Sequence, residues 1–116
     1  MATRNVRLTR EDGRVVCEHL LVAARPLRRM RGLLGRSELP SDEGILLRPA
    51  GSVHTFFMRF PIDVVFLDKG DVVVGIERSL APWKTAGRRG AKAVVELAAG
   101  ECERRGVQVG DRLVAA

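Results

Sequence analysis

Tyrosine is absent from this 116-residue sequence, and tryptophan occurs once. With four phenylalanines, aromatic residues make up 4% of the chain. That is a poor supply for a surface that reads single-stranded nucleic acid by stacking bases on successive rings. Lysine is also scarce, with three residues against 17 arginines. The imbalance runs through the whole chain, so it marks a compositional bias and weakens the reading of any single arginine. Cysteine appears twice, as Cys17 and Cys102, and neither has a second cysteine or a histidine at metal-ligand spacing. Both are expected to be small apolar side chains in a reduced compartment. No metal site and no cofactor are expected. No segment approaches the roughly 20 apolar residues of a membrane span. Residues 1–7 carry positive charge but lack the apolar run that a secretory signal places behind it. The expectation is a cytoplasmic protein with no membrane contact.

What is present points to one folded domain covering residues 1–116. Hydrophobic residues are 46% and charged residues 29%, a globular rather than a disordered balance. A chain of this length buries enough surface to need no disulfide or metal. The net charge is +6, and all of the excess lies in residues 1–36, where nine arginines meet Glu11, Asp12 and Glu18. The remaining residues carry eleven bases and eleven acids. A basic first third of this kind can face phosphates or anionic lipid.

Short β-branched runs separated by turn residues dominate the chain. Residues 4–9 alternate, Glu11-Asp12-Gly13 is a hairpin signal, and residues 14–23 read as the returning strand. Pro26 suits a helix start, Leu27, Met30, Leu33 and Leu34 follow at helical spacing, and Gly35 suits its end. This predicts one short helix over about 26–35. Strands are predicted over 44–47, 53–60, 62–67, 72–76 and 93–97, with a turn at Asp68-Lys69-Gly70-Asp71 and a loop over 81–92. A helical turn is predicted near 100–106, and residues 107–114 close the chain. The class is therefore mainly β, a sandwich or barrel rather than a parallel α/β sheet, which would need alternating helices.

The segment His54-Thr55-Phe56-Phe57-Met58-Arg59-Phe60-Pro61-Ile62-Asp63-Val64-Val65-Phe66-Leu67-Asp68 resembles the family known as domain of unknown function 192. Arg31-Gly32-Leu33-Leu34-Gly35-Arg36, Gly44-Ile45-Leu46-Leu47, Pro82-Trp83-Lys84, Val95-Glu96-Leu97 with Gly100, and Gly110-Asp111 agree in order. The resemblance covers about residues 14–114. It implies a single-domain β-sandwich of jelly-roll type with a helix packed at one end, and it implies no established activity. Ala98-Ala99 stands where many members have proline.

Among residues able to carry chemistry, Asp63 is the most unusual, because it lies in an apolar strand. Alternation puts it on one face with Val65 and Leu67, with Ile62, Val64 and Phe66 on the other. A buried carboxylate needs a partner. Arg59, His54 and Arg31 are candidates, and a guanidinium, from Arg59 or Arg31, is the expected one because its planar fork meets both oxygens. Glu96 is a second carboxylate in an apolar strand. If it shared a cavity with Asp63, the two would form an acid–base pair with His54 as proton shuttle. No nucleophile elbow accompanies them. Gly87-Arg88-Arg89-Gly90 resembles a backbone-gripping RNA loop in spacing, but it lies between strands, where that fold uses helices. Trp83 is an amphipathic ring beside this basic loop.

These residues predict a binding or accessory module with a polar cleft lined by His54, Arg59, Asp63, Trp83 and Glu96. Its expected ligand is a small molecule or an extended peptide. The alternative is a small hydrolase or isomerase using Asp63, Glu96 and His54. A third reading, weak nucleic-acid binding through the basic first third, is disfavoured by the shortage of aromatic rings.

Overall fold

The computed structural model describes residues 4–23 and 37–116. The helix expected over 26–35, and Arg31 with it, lie outside these residues. β1 (Arg4–Arg10) and β2 (Val15–Ala23) form the first antiparallel pair. The loop between them closes as predicted. Gly13 has φ 89°, its N–H donates to the Arg10 carbonyl at 2.9 Å, and Arg10 N–H donates to the Arg14 carbonyl at 2.8 Å. A residue without Cβ enters this left-handed region without steric penalty.

The chain continues through β3 (Glu43–Leu47), β4 (Ser52–His54), β5 (Ile62–Leu67), β6 (Val73–Leu80), β7 (Thr85–Gly87) and β8 (Ala93–Ala98). The four-residue helix α1 (Glu101–Arg104) and β9 (Leu113–Ala115) follow as the last elements of the described residues. The mainly β class is as expected, and α1 falls inside the turn predicted near 100–106.

Seven strands form one sheet in the order β6-β5-β8-β3-β2-β1-β9, while β4 and β7 pair separately. The ends of the large sheet meet. Val72 bridges Arg112, Val73 N–H donates to the Asp111 carbonyl at 2.8 Å, and Leu113 N–H donates to the Asp71 carbonyl at 3.0 Å. The sheet is thus curled nearly closed, which protects backbone edges that would otherwise stay open. β2 and β3 run parallel, a step that an all-antiparallel jelly roll does not contain.

β5 is buried along its whole length, and its alternation divides the core in two. Val65 and Leu67 pack with Leu8, Leu20, Leu97, Cys102 and Leu113, residues drawn from both ends of the curled sheet. Ile62, Val64 and Phe66 pack on the other side with Val53, Met58, Phe60 and Leu80, under the small β4–β7 sheet. This matches the face assignment made from sequence.

Two local expectations are corrected. The strand predicted over 53–60 stops at His54, because Thr55 turns the chain: Met58 N–H donates to the Thr55 carbonyl at 3.2 Å and Phe57 has φ 68°. The loop predicted over 81–92 contains β7, which pairs with β4.

Candidate functional site

The break at Thr55 builds the most unusual surface of the molecule. Thr55 is fully buried and ties two loops together. Its N–H donates to the Lys84 carbonyl at 2.8 Å and its carbonyl accepts from Trp83 N–H at 2.9 Å. Its Oγ1 donates to the Ala81 carbonyl at 2.6 Å and accepts from Lys84 N–H at 2.9 Å. These bonds fix the segment after β4 against the segment after β6.

Four rings line up over that clasp. His54 stacks on Phe56 with centroids 4.8 Å apart, Phe56 stacks on Trp83 at 5.9 Å, and Phe57 meets Trp83 at 4.6 Å. The His54 ring is locked by Phe56 N–H, which donates to its Nδ1 at 3.3 Å. Phe57 is 65% exposed, Trp83 57% and Phe56 38%. Contiguous exposed rings of this kind mark interaction surfaces. Phe57 and Trp83 also hold φ angles of 68° and 65°. Left-handed backbone costs a residue with a side chain about 1–3 kcal/mol, and such strain concentrates at functional sites. The segments that carry the rings also carry the exposed cations Arg59 and Lys84.

Asp63 lies elsewhere, and among the described residues its hydrogen-bond partners are backbone groups rather than Arg59. Its Oδ1 accepts from Ser79 N–H at 2.8 Å, and its Oδ2 accepts from Gly100 N–H at 3.1 Å and Cys102 N–H at 2.9 Å. Two irregularities create these donors. The β5–β6 register shifts between Ile62 and Val64, so Arg78 and Ser79 together oppose Asp63, and Ser79 takes φ 49°. Gly100 stands at the N-cap of α1 and has no side chain to cap it. The first N–H groups of a helix need an acceptor and favour negative charge. Asp63 is that cap, delivered from a distant strand. Arg59 remains on the surface.

Glu96 does not join Asp63. In the β5–β8 register Asp63 faces Leu97 and Val64 faces Glu96. The two carboxylates therefore point to opposite sides of one sheet, and both are buried. His54 stands apart from both, in the ring cluster. The cleft expected from sequence thus separates into three places: His54 and Trp83 in the exposed cluster, Asp63 under α1, and Glu96 on the opposite core face.

Both cysteines are buried. Burial pushes the Cys17 thiol up to about 11. Burial, together with the adjacent Asp63 carboxylate, pushes Cys102 up to about 12. Thiols held so far above neutrality carry almost no thiolate and make poor nucleophiles. A thiol-reactive chromogenic disulfide should therefore modify neither cysteine in the folded protein at neutral pH and both after denaturation. Rapid native labelling of either would contradict the buried placement.

Arg88 is also committed internally. It crosses the face of Phe66 at 5.1 Å, donates to the Ile76 carbonyl at 3.1 Å and lies over Gly75, where a Cβ would sit 2.5 Å from its Nε. The Gly87-Arg88-Arg89-Gly90 loop therefore closes onto β6, and its first arginine is not offered to a nucleic acid. Among the described residues no three His, Cys, Asp or Glu side chains are grouped to hold a metal ion. None of the described helices is long and apolar enough to cross a membrane.

Thr55, Phe56 and Phe57 were not singled out by sequence reasoning. The Phe56-Phe57 pair carries no local signal of exposure, since neighbours in a strand point to opposite faces and in β5 both faces are buried.

Similarity to other proteins agrees with this architecture. Residues 7–115 match the model of the family DUF192, described as an uncharacterized ACR. A UPF0127 protein of Thermococcus sibiricus is 30% identical over 115 residues, covering 91% of this chain and 71% of its own length. A UPF0127 protein of Pyrococcus furiosus is 46% identical over 63 residues, which span 53% of each. A crystal structure from Sinorhizobium meliloti 1021, of a protein described as a candidate transcription regulator, is 27% identical with a TM-score of 0.82. It covers 98% of this chain and 94% of its own. A protein of unknown function from Novosphingobium aromaticivorans shares the fold with a TM-score of 0.80 at 23% identity, covering 97% of this chain and 84% of its own.

Proposed function

The chain belongs to the DUF192 family, and we propose that it is a binding module whose contact surface is the ring cluster of His54, Phe56, Phe57 and Trp83. The observation that carries this reading is the combination of large exposed rings with strained backbone at two of them. A fold that needed only to be stable would bury these rings or relax their backbone.

The ligand that fits is an extended peptide with an apolar or aromatic anchor next to an acidic group. The rings supply the apolar contact, and Arg59 and Lys84 supply the complementary charge. Among the described residues β4 and β7 pair only with each other, which leaves one edge of each outside that pairing. Ser52, Thr85 and Gly87 on them are exposed. Strand addition at such an edge would supply backbone hydrogen bonds, while the adjacent rings select the anchor.

An acid–base enzyme built on Asp63, Glu96 and His54 is less well supported, because those residues share no cavity. The Sinorhizobium meliloti structure is described as a candidate transcription regulator, but a nucleic-acid role for the Gly87–Gly90 loop of this chain is less well supported, because Arg88 is engaged by Phe66 and the Ile76 carbonyl.

A peptide recovered by display selection on the whole chain tests the reading. Phe57→Ala and Trp83→Ala should each weaken its binding by about tenfold or more, as truncated aromatic anchors do, while the urea midpoint stays near the parent's. Thr55→Val, which breaks the clasp without touching the ligand, should weaken binding too. Equal affinity in Phe57→Ala, Trp83→Ala and parent would rule out the ring cluster as the contact surface.

A further inference from the structure

We propose that a second site, the depression between Arg14, Val15, Arg104 and Arg105, binds the phosphate group of a small phosphorylated molecule. The proposal is independent of the ring cluster, which shares none of these residues. The depression is open to solvent, has a volume of about 460 Å³ and is lined by these four residues. Three of them are arginines, drawn from the start of β2 and the end of α1.

The arginines are held in place from behind. Glu101 is buried and takes Arg104 bidentately, with Oε2 2.8 Å from Nε and Oε1 2.9 Å from an Nη. The same Oε1 accepts from Arg105 Nε at 3.2 Å. Arg105 therefore keeps both of its terminal nitrogens for another acceptor. The guanidinium of Arg14 has no hydrogen-bond or ion-pair partner among the described residues, where only its backbone is engaged, its N–H with Asp12 and its carbonyl with Arg10 N–H.

Gly106 lets these groups converge. With φ 70° it turns the chain after α1, and a Cβ on it would lie 3.0 Å from Arg10 Nη1 and 3.6 Å from Arg14 Nη1. Arg10 donates to the Gly106 carbonyl at 2.9 Å and is balanced by Asp12 at 3.3 Å and Asp111 at 3.8 Å. Arg14 is thus brought beside other guanidinium groups with no acid of its own. A bound anion relieves that repulsion.

Phosphate suits the chemistry better than a single carboxylate. It offers more oxygens, carries more charge, and is matched by several planar forks that stay ionised at all relevant pH. The depression is open, and its volume falls within the range of small-molecule sites. It favours a terminal phosphate on a compact molecule over the continuous backbone of a nucleic acid.

The test is a calorimetric and NMR titration of the whole chain with inorganic pyrophosphate at constant ionic strength, set by sodium chloride. Saturable one-to-one binding is expected, with shifts at the Nε–H groups of Arg14 and Arg105. Arg14→Ala, which removes no native ion pair, should weaken binding by about tenfold or more. Arg48→Ala, at an exposed arginine paired with Asp71 at 2.8 Å, should leave it unchanged. A linear, non-saturating response, or equal loss in Arg14→Ala and Arg48→Ala, would overturn the site. A parallel titration with a single-stranded oligonucleotide distinguishes the source of the phosphate. Tight oligonucleotide binding lost in Arg14→Ala would replace the small molecule with a nucleic acid and overturn the proposal as stated.

Discussion

Replacing Asp63 by alanine should lower the stability of the folded chain by about 4 kcal/mol, close to the whole stability of a marginal domain. The carboxylate satisfies three backbone N–H groups, of Ser79, Gly100 and Cys102, in a site that excludes water. Each orphaned buried donor costs about 1–3 kcal/mol, and bonds to a charged acceptor lie at the upper end. Asparagine is informative because it keeps one acceptor oxygen while turning an amide N–H₂ toward donors that need an acceptor. Asp63→Asn should therefore cost about 2–3 kcal/mol, less than alanine but more than a surface change. Urea denaturation followed by circular dichroism gives both values. A midpoint in Asp63→Ala equal to the parent's would mean that α1 and the bulge at Ser79 do not depend on this cap.

Gly44→Val should also be strongly destabilising, by about 3 kcal/mol, for a steric rather than a polar reason. Gly44 lies in β3 between β2 and β8, paired with Leu20 and Leu97. A Cβ there would fall 2.8 Å from Leu97 Cδ2, 2.9 Å from the Glu96 carbonyl oxygen and 3.2 Å from Cys17 Sγ. A leucine methyl can rotate away, but the carbonyl belongs to the neighbouring strand and moves only if the sheet moves. Alanine should show the same effect in smaller degree, since it lacks the two methyl groups that overfill the site. Thermal melts of the two variants rank them. A valine variant as stable as the parent would show that β3 and β8 are packed more loosely than these contacts describe.

Much of the frame was readable from residue order. The Glu11-Asp12-Gly13 turn, the faces of β5 and the short helix after Gly100 follow from local rules, because turn glycines, period-two alternation and a brief polar run act within a few residues. Asp63 shows where such rules end. Its burial followed from its apolar neighbours, but its partners are backbone groups 16, 37 and 39 residues further along the chain. Backbone donors look the same at every position, so residue type alone points to Arg59 or Arg31 instead. The opposite placement of Asp63 and Glu96 depends on register, which only pairing sets. Phe56 and Phe57 were missed for a different reason. Phe56 and Phe57 have high β-propensity, and nothing local shows that Thr55 ends the strand by bonding to Ala81 and Lys84.

Trp83 offers the most direct measurement of whether the rings form a binding surface. It is the single tryptophan of the chain, so intrinsic fluorescence reports on this cluster without substitution. In the free protein its emission should lie at long wavelength and be quenched readily by acrylamide, as its 57% exposure requires. With the selected peptide bound, emission should shift to shorter wavelength and quenching should fall. Emission and quenching that stay unchanged at saturating peptide would contradict the assignment of the ring cluster as the binding surface.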